Sequence, residues 1–149
     1  MNPLDEFENY LKKKVVKKQS PDNLRAEDLF KETEKSYESL TEFVKKIKIN
    51  ENNANHIIKN SYDIIMELVR AQMISQGYKS SGYGAHEAEV SYLRKLNFPD
   101  NEVEFVNQLR HFRNRITYYG KIFEKDYAVK VIAFLEKIMP KLRKPDNKK

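Results

Sequence analysis

The chain has 149 residues, 40% of them hydrophobic, which suits one domain built around one core. It contains no cysteine, so disulfides, thiol nucleophiles and thiolate metal sites are excluded and the fold must rest on packing. No apolar run approaches the roughly twenty residues of a membrane span, and the start Met1-Asn2-Pro3-Leu4-Asp5 lacks a signal-peptide pattern, so a cytoplasmic protein with no membrane association is expected.

The net charge of +6 sits at the two ends. Residues 1–20 hold five Lys against three acids, residues 140–149 hold five basic residues against one acid, and residues 21–139 are balanced at eighteen of each sign. Basic ends of this kind are solvated tails or auxiliary contacts to an anionic partner. Inside the balanced body one stretch departs from the rule: from Phe105 to Phe123 there is no acid, while Arg110, Arg113, Arg115 and Lys121 fall within it. The three His residues, His56, His86 and His111, are scattered, so no metal site and no cofactor are expected.

The elements read as helices in chain order. Leu4, Phe7, Leu11 and Val15 outline a short N-terminal helix weakly tied to the core. Ser20-Pro21 is a start signal, and Ala26, Phe30, Thr33, Tyr37, Leu40, Val44 and Ile47 follow at steps of four and three, one stripe down a long helix. A second long helix begins near Asn52 or Asn53, carries Ile57, Ile58, Ile65, Leu68, Val69 and Met73, and stops at Gly77. Residues 77–84 hold three of the four glycines and read as a loop. A short helix with Ala85, Ala88, Tyr92 and Leu96 ends at Asn97-Phe98-Pro99-Asp100.

The next helix, about Asn101 to Tyr119, has Phe105, Leu109, Phe112, Ile116 and Tyr119 as its core stripe, with Val106, Arg110, Arg113 and Thr117 one residue round. The last runs from about Lys125 to Met139 and ends before Pro140. Short connections between helices predict an all-α, up-and-down antiparallel bundle of four to five helices over residues 21–142. It is flanked by a basic N-terminal helix or tail at 1–20 and a basic C-terminal tail at 143–149. There is no Gly-rich phosphate loop and no Walker-type Lys.

On the penultimate helix Arg113, Asn114, Thr117 and Tyr118 combine one cation, one amide and two hydroxyls, with no carboxylate nearby in the sequence, a set able to hold a phosphate. The same residues also suit a purely structural role, with Arg113 capping a neighbouring helix and Asn114 bonding a backbone group.

The helix order, the Gly77-Tyr78 helix end, the Gly84-Ala85-His86 start of the short helix, and above all Leu109-Arg110-His111-Phe112-Arg113-Asn114-Arg115-Ile116-Thr117-Tyr118-Tyr119-Gly120 resemble the HEPN superfamily over about residues 21–142. The family's motif is Arg, usually followed by Asn, with His after four to six further residues. The resemblance implies a two-fold homodimer whose motif helices line a shared cleft. It also implies metal-independent ribonuclease chemistry in active members, and for many a small nucleotidyltransferase as partner. Carried over, the motif makes Arg113, Asn114 and Tyr118 the catalytic set, and Arg110, Arg113, Asn114, Thr117 and Tyr118 the RNA or nucleotide contacts. Tyr118 stands where the family has His. An imidazole titrates near neutrality, whereas a phenol, with a pKa of about 10, is a poor base there. The expectation is therefore a dimeric RNA- or nucleotide-binding protein with nuclease activity impaired or lost. Two alternatives are an active ribonuclease or toxin leaving 2′,3′-cyclic phosphate ends, and a non-catalytic module docking a nucleotidyltransferase.

Overall fold

The computed structural model describes residues 3–143. Its elements are α1 (Phe7–Lys12), β1 (Val16–Lys18), α2 (Asn23–Ile47), α3 (Ala54–Ser75), β2 (Tyr78–Ser80), α4 (Ala85–Ser91) continued by a 3₁₀ turn (Tyr92–Arg94), α5 (Asp100–Tyr119) and α6 (Lys125–Leu142). The all-α class expected from the periodicity holds: this is a helical bundle with one small antiparallel ribbon.

Helix α3 is the axis of the bundle. Its apolar residues occur on every side rather than in one stripe, and Ile57, Ile58, Tyr62, Ile64, Ile65, Met66, Leu68, Val69 and Met73 are all buried. Helices α2, α4, α5 and α6 each pack against it. Burying this much aliphatic surface supplies the main driving force, at roughly 25 cal/mol per Å² of apolar area removed from water.

Three local expectations shift. The cap of α2 is Asp22, whose Oδ1 accepts the Arg25 N–H at 3.0 Å, so the helix starts after Ser20-Pro21. Helix α6 runs through Pro140 to Leu142. Proline there removes one intrahelical hydrogen bond, but Leu142 is fully buried and its carbonyl accepts from Gln72 Nε2 at 3.2 Å, which holds the extra turn. Residues 78–80, read as loop, pair with 16–18 in register Val16↔Ser80, Lys17↔Lys79 and Lys18↔Tyr78.

That ribbon explains the larger correction: the N-terminal segment is fastened to the core. Phe7 is buried edge-on against Tyr78 and Tyr92, with ring centroids 5.2 and 4.9 Å away. Arg94 Nη1 donates to the Asp5 carbonyl at 2.8 Å, and Lys95 pairs with Glu8. Gly77 makes the turn possible. Its φ is +83°, and a Cβ there would lie 2.5 Å from the Gln19 carbonyl oxygen, which accepts no such neighbour. The expected basic C-terminal tail falls largely outside the described residues; its first member, Arg143, forks onto Glu34 through two bonds of 3.0 Å.

One buried carboxylate joins three elements. Glu89 on α4 is almost wholly enclosed; it accepts from Arg70 of α3 through Nε at 3.0 Å and Nη2 at 2.9 Å, and from the Ser80 hydroxyl of β2 at 2.6 Å. Removing it leaves the half-buried Arg70 guanidinium without its hydrogen-bonded partner. For Glu89→Ala we expect a stability loss of about 3 kcal/mol, the lower end of the range for a broken buried pair because Arg70 keeps some solvent contact. Glu89→Gln, which retains acceptor and size, should lose less. Urea unfolding followed by circular dichroism checks the order.

Candidate functional site

Helix α5 begins on the core and ends off it. Its buried positions are Glu102, Val103, Val106, Asn107, Leu109 and Arg110, and after Arg110 only Ile116 is buried. The inward face is therefore turned one residue from the expected stripe. Phe105 and Phe112 are half-buried in an aromatic cluster with Phe123, Tyr127 and Phe134, their closest ring pair being Phe105 and Phe134 at 4.2 Å. Tyr119, expected in the core, is 84% exposed. Helix α5 packs on both α3 and α4, and burial along it follows those neighbours rather than the apolar pattern.

Arg110 is a structural cation. Its Nε and Nη2 donate to Asn107 Oδ1 at 3.1 and 3.0 Å, Glu87 Oε2 of α4 lies 3.8 Å away, and the side chain is buried. Nη2 also approaches His111 Nε2 at 3.1 Å. A guanidinium only donates, so Nε2 accepts and the ring proton belongs on Nδ1. Burial first, and the adjacent Arg110 charge second, lower the His111 pKa below its ordinary 6.5, which keeps the ring neutral.

Arg113 is turned toward α3. Its Nη2 lies 4.0 Å from Asp63 Oδ1, and its Cζ sits 5.9 Å from the centre of the Tyr62 ring. Its side chain keeps 26% exposure, and Nε is buried without a hydrogen-bond partner among the described residues. Tyr62 itself is buried, and desolvation raises its phenol far above the usual range. The carboxylates missing from the acid-free run thus reach Arg110 and Arg113 from other helices, as Glu87 and Asp63.

The four residues expected to cluster divide into two groups. Arg113 and Tyr118 are five positions apart, about 140° round a helix with 3.6 residues per turn, so the cation facing α3 and the phenol do not share a face. Tyr118 is 70% exposed, Thr117 is exposed and Asn114 is half-buried. The residues on Tyr118's own side are His111, Asn114 and Arg115, which precede it by seven, four and three. Arg115, counted in the charge run but left out of the cluster, is the exposed cation of that face.

Beyond α5 the chain turns sharply at Gly120, which adopts a left-handed φ of +64°, into an elbow before α6. Asn55, near the start of α3, holds this elbow with both ends of its amide: Nδ2 donates to the Lys121 carbonyl at 2.8 Å, and Oδ1 accepts the Phe123 N–H at 3.0 Å. Glu51 Oε1 accepts the Lys125 N–H at 3.1 Å. Ile122 protrudes between them, 76% exposed. Asn55 and Ile122 carried no signal in the sequence, because a lone Asn early in a helix is commonplace and its partners lie 66 and 68 residues away.

No family model, no curated protein and no solved structure matches the chain.

The lowered pKa of His111 has a thermodynamic signature. The unfolded chain binds a proton near pH 6.5 while the folded one resists it, so stability conferred by the neutral ring is complete above that pH and falls as the pH drops toward the folded value. His111→Gln should flatten that part of a stability-against-pH curve between about pH 7 and 5. An unchanged slope would show that His111 titrates freely.

Proposed function

We propose that this chain binds single-stranded RNA, without cleaving it, on the exposed end of α5. The carrying observation is an uncovered aromatic edge, Tyr118 and Tyr119, beside Arg115 and Lys121 in a run free of acids. Aromatic faces stack on unpaired bases at roughly 1–3 kcal/mol per base whatever the sequence, and flanking cations hold the backbone. Asn114 and Thr117 add hydrogen-bonding groups along one side of Tyr118, and the Nδ1–H of neutral His111 is a further donor on the Tyr118 face. The proposal is HEPN-like in its motif helix. Its centre moves from Arg113 to Arg115, since Asp63 and Tyr62 engage Arg113.

Loss of cleavage follows from proton chemistry. Transfer to the phosphate requires a group that removes the 2′-hydroxyl proton at neutral pH. A phenol at the motif His position is a weak base. The imidazole two positions before Arg113 has its lone pair engaged by Arg110, so His111 cannot take a proton without giving up that bond.

Binding of an end-labelled, unstructured RNA oligomer by fluorescence anisotropy tests this. With Arg115 and Lys121 as the phosphate contacts, log K should fall with log salt at a slope of about −1.4, from the single-strand value of about −0.7 per neutralised phosphate. Tyr118→Ala and Arg115→Ala should each weaken binding about tenfold, and Arg113→Ala should act mainly on stability. Competition by a mononucleotide separates a single-base site from a strand-binding one. The absence of RNA binding at low salt, or the appearance of 2′,3′-cyclic phosphate ends in chelator, would overturn the reading.

A further inference from the structure

The elbow after α5 is an unusual piece of surface. Three of the large exposed hydrophobic side chains, Tyr118, Tyr119 and Ile122, fall within five residues of one another. Exposed apolar groups on a loop ordinarily fold down onto the nearest apolar wall, and that motion needs a mobile backbone. Here the backbone is fixed on both sides of Ile122, by the two amide bonds of Asn55 to Lys121 and Phe123. Downstream, Phe123 packs its ring on Phe112 at 4.7 Å, and Glu51 receives the Lys125 N–H. Upstream, the Gly120 and Lys121 amides return to the Ile116 and Arg115 carbonyls at 3.2 and 3.1 Å. A residue with a side chain is strained at the φ of Gly120, though a Cβ there would meet nothing within 4 Å, so glycine is required for the bend alone. The elbow is thus held rigid in a shape that keeps its apolar groups in water.

Resting on the RNA reading above, we infer that this elbow is a subsite for one unpaired base, walled by Tyr119 and Ile122, with Asn55 as the positioning residue that sets its shape. A nucleobase is the occupant that fits the surroundings. It needs apolar surface and no charge of its own, and the phosphate joined to it needs a cation, which Lys121 supplies from the same five-residue stretch. Preorganisation by Asn55 removes the ordering cost that a free loop would meet on binding. An isologous protein contact is disfavoured by the sign of the charge, because the acid-free run would face its own Arg115 and Lys121 across a two-fold axis.

The test compares an unstructured RNA oligomer with a base-free ribose-phosphate oligomer of equal length. The wild-type chain should prefer the first. Asn55→Ala should bind RNA about tenfold more weakly and lose most of that preference, because what disappears is the worth of one stacked base. Trypsin cleavage after Lys121 should accelerate in the same variant, reporting the released elbow without reference to RNA. Asn55→Asp keeps the acceptor for Phe123, drops the donor to Lys121, and should fall between the two. If Asn55→Ala fails to fold, Tyr119→Ala and Ile122→Ala, both at exposed positions, carry the comparison and should lose the preference. A folded, trypsin-sensitive Asn55→Ala that keeps the base preference overturns the subsite and leaves the RNA reading standing. Equal weakening toward both oligomers overturns it in favour of a purely structural amide. No binding of either oligomer by the wild-type chain removes both proposals together.

Discussion

The enclosed carboxylate of Glu89 is the constraint on which the rest of the structure depends. A charge buried to this degree costs several kcal/mol unless it is fully paired, and its partners come from α3 and β2. Meeting them fixes the position of α4 against α3 and brings the ribbon alongside. With α4 so placed, Glu87, two residues earlier, lies beside Arg110 and draws that cation inward on α5. Helix α5 is turned so that Val103, Val106, Asn107 and Leu109 are its most enclosed positions, with Arg110 beside them and Phe105 and Phe112 half-buried. The charged residues of α4 thus meet partners on both neighbouring helices, Glu89 on α3 and Glu87 on α5.

What remains exposed after that rotation is the proposed working surface. The last two turns of α5 extend past the cover of α4 with Ile116 as their only buried anchor. Their outward face combines an amide, a guanidinium and two phenols, and the amide of Asn55 prevents the following elbow from collapsing over them. Rigidity and exposure coexist here because the clamp acts on backbone groups and leaves the side chains free.

The helices and the core were legible in the sequence because both are carried by local periodicity. The stripe from Ala26 to Val44, though not its last member Ile47, which is exposed, the apolar surroundings of Ile57 through Met73, and the glycine stops at Gly77 and Gly120 each reflect neighbours within a turn or two. The docking of the N-terminus was not legible. It depends on Tyr78 meeting Phe7 and on a three-residue ribbon, contacts spanning sixty positions or more that no periodicity records. The candidate site was half legible. An acid-free run was a sound signal of available cations, yet sequence distance hid Asp63 and Glu87, which lie 50 and 23 residues before the arginines they face. Adjacency in the motif suggested that Arg113 and Tyr118 act together, while the turn of the helix sends them to different sides.

The fate of the two imidazole-or-phenol positions on α5 ties the electrostatics to the proposed lack of cleavage. A general base for this chemistry presents a free imidazole or carboxylate lone pair to solvent, and the proposed RNA surface offers neither. Tyr118 has a hydroxyl in the open, suited to stacking and donation. His111 has the right chemistry, but its accepting nitrogen faces Arg110, which is itself immobilised by Asn107 and Glu87. Protonating the imidazole would cost it the Arg110 contact and place a second positive charge beside a guanidinium that Asn107 and Glu87 hold in place. The network that gives α5 its orientation is thus the same one that withholds its only imidazole from acid–base work.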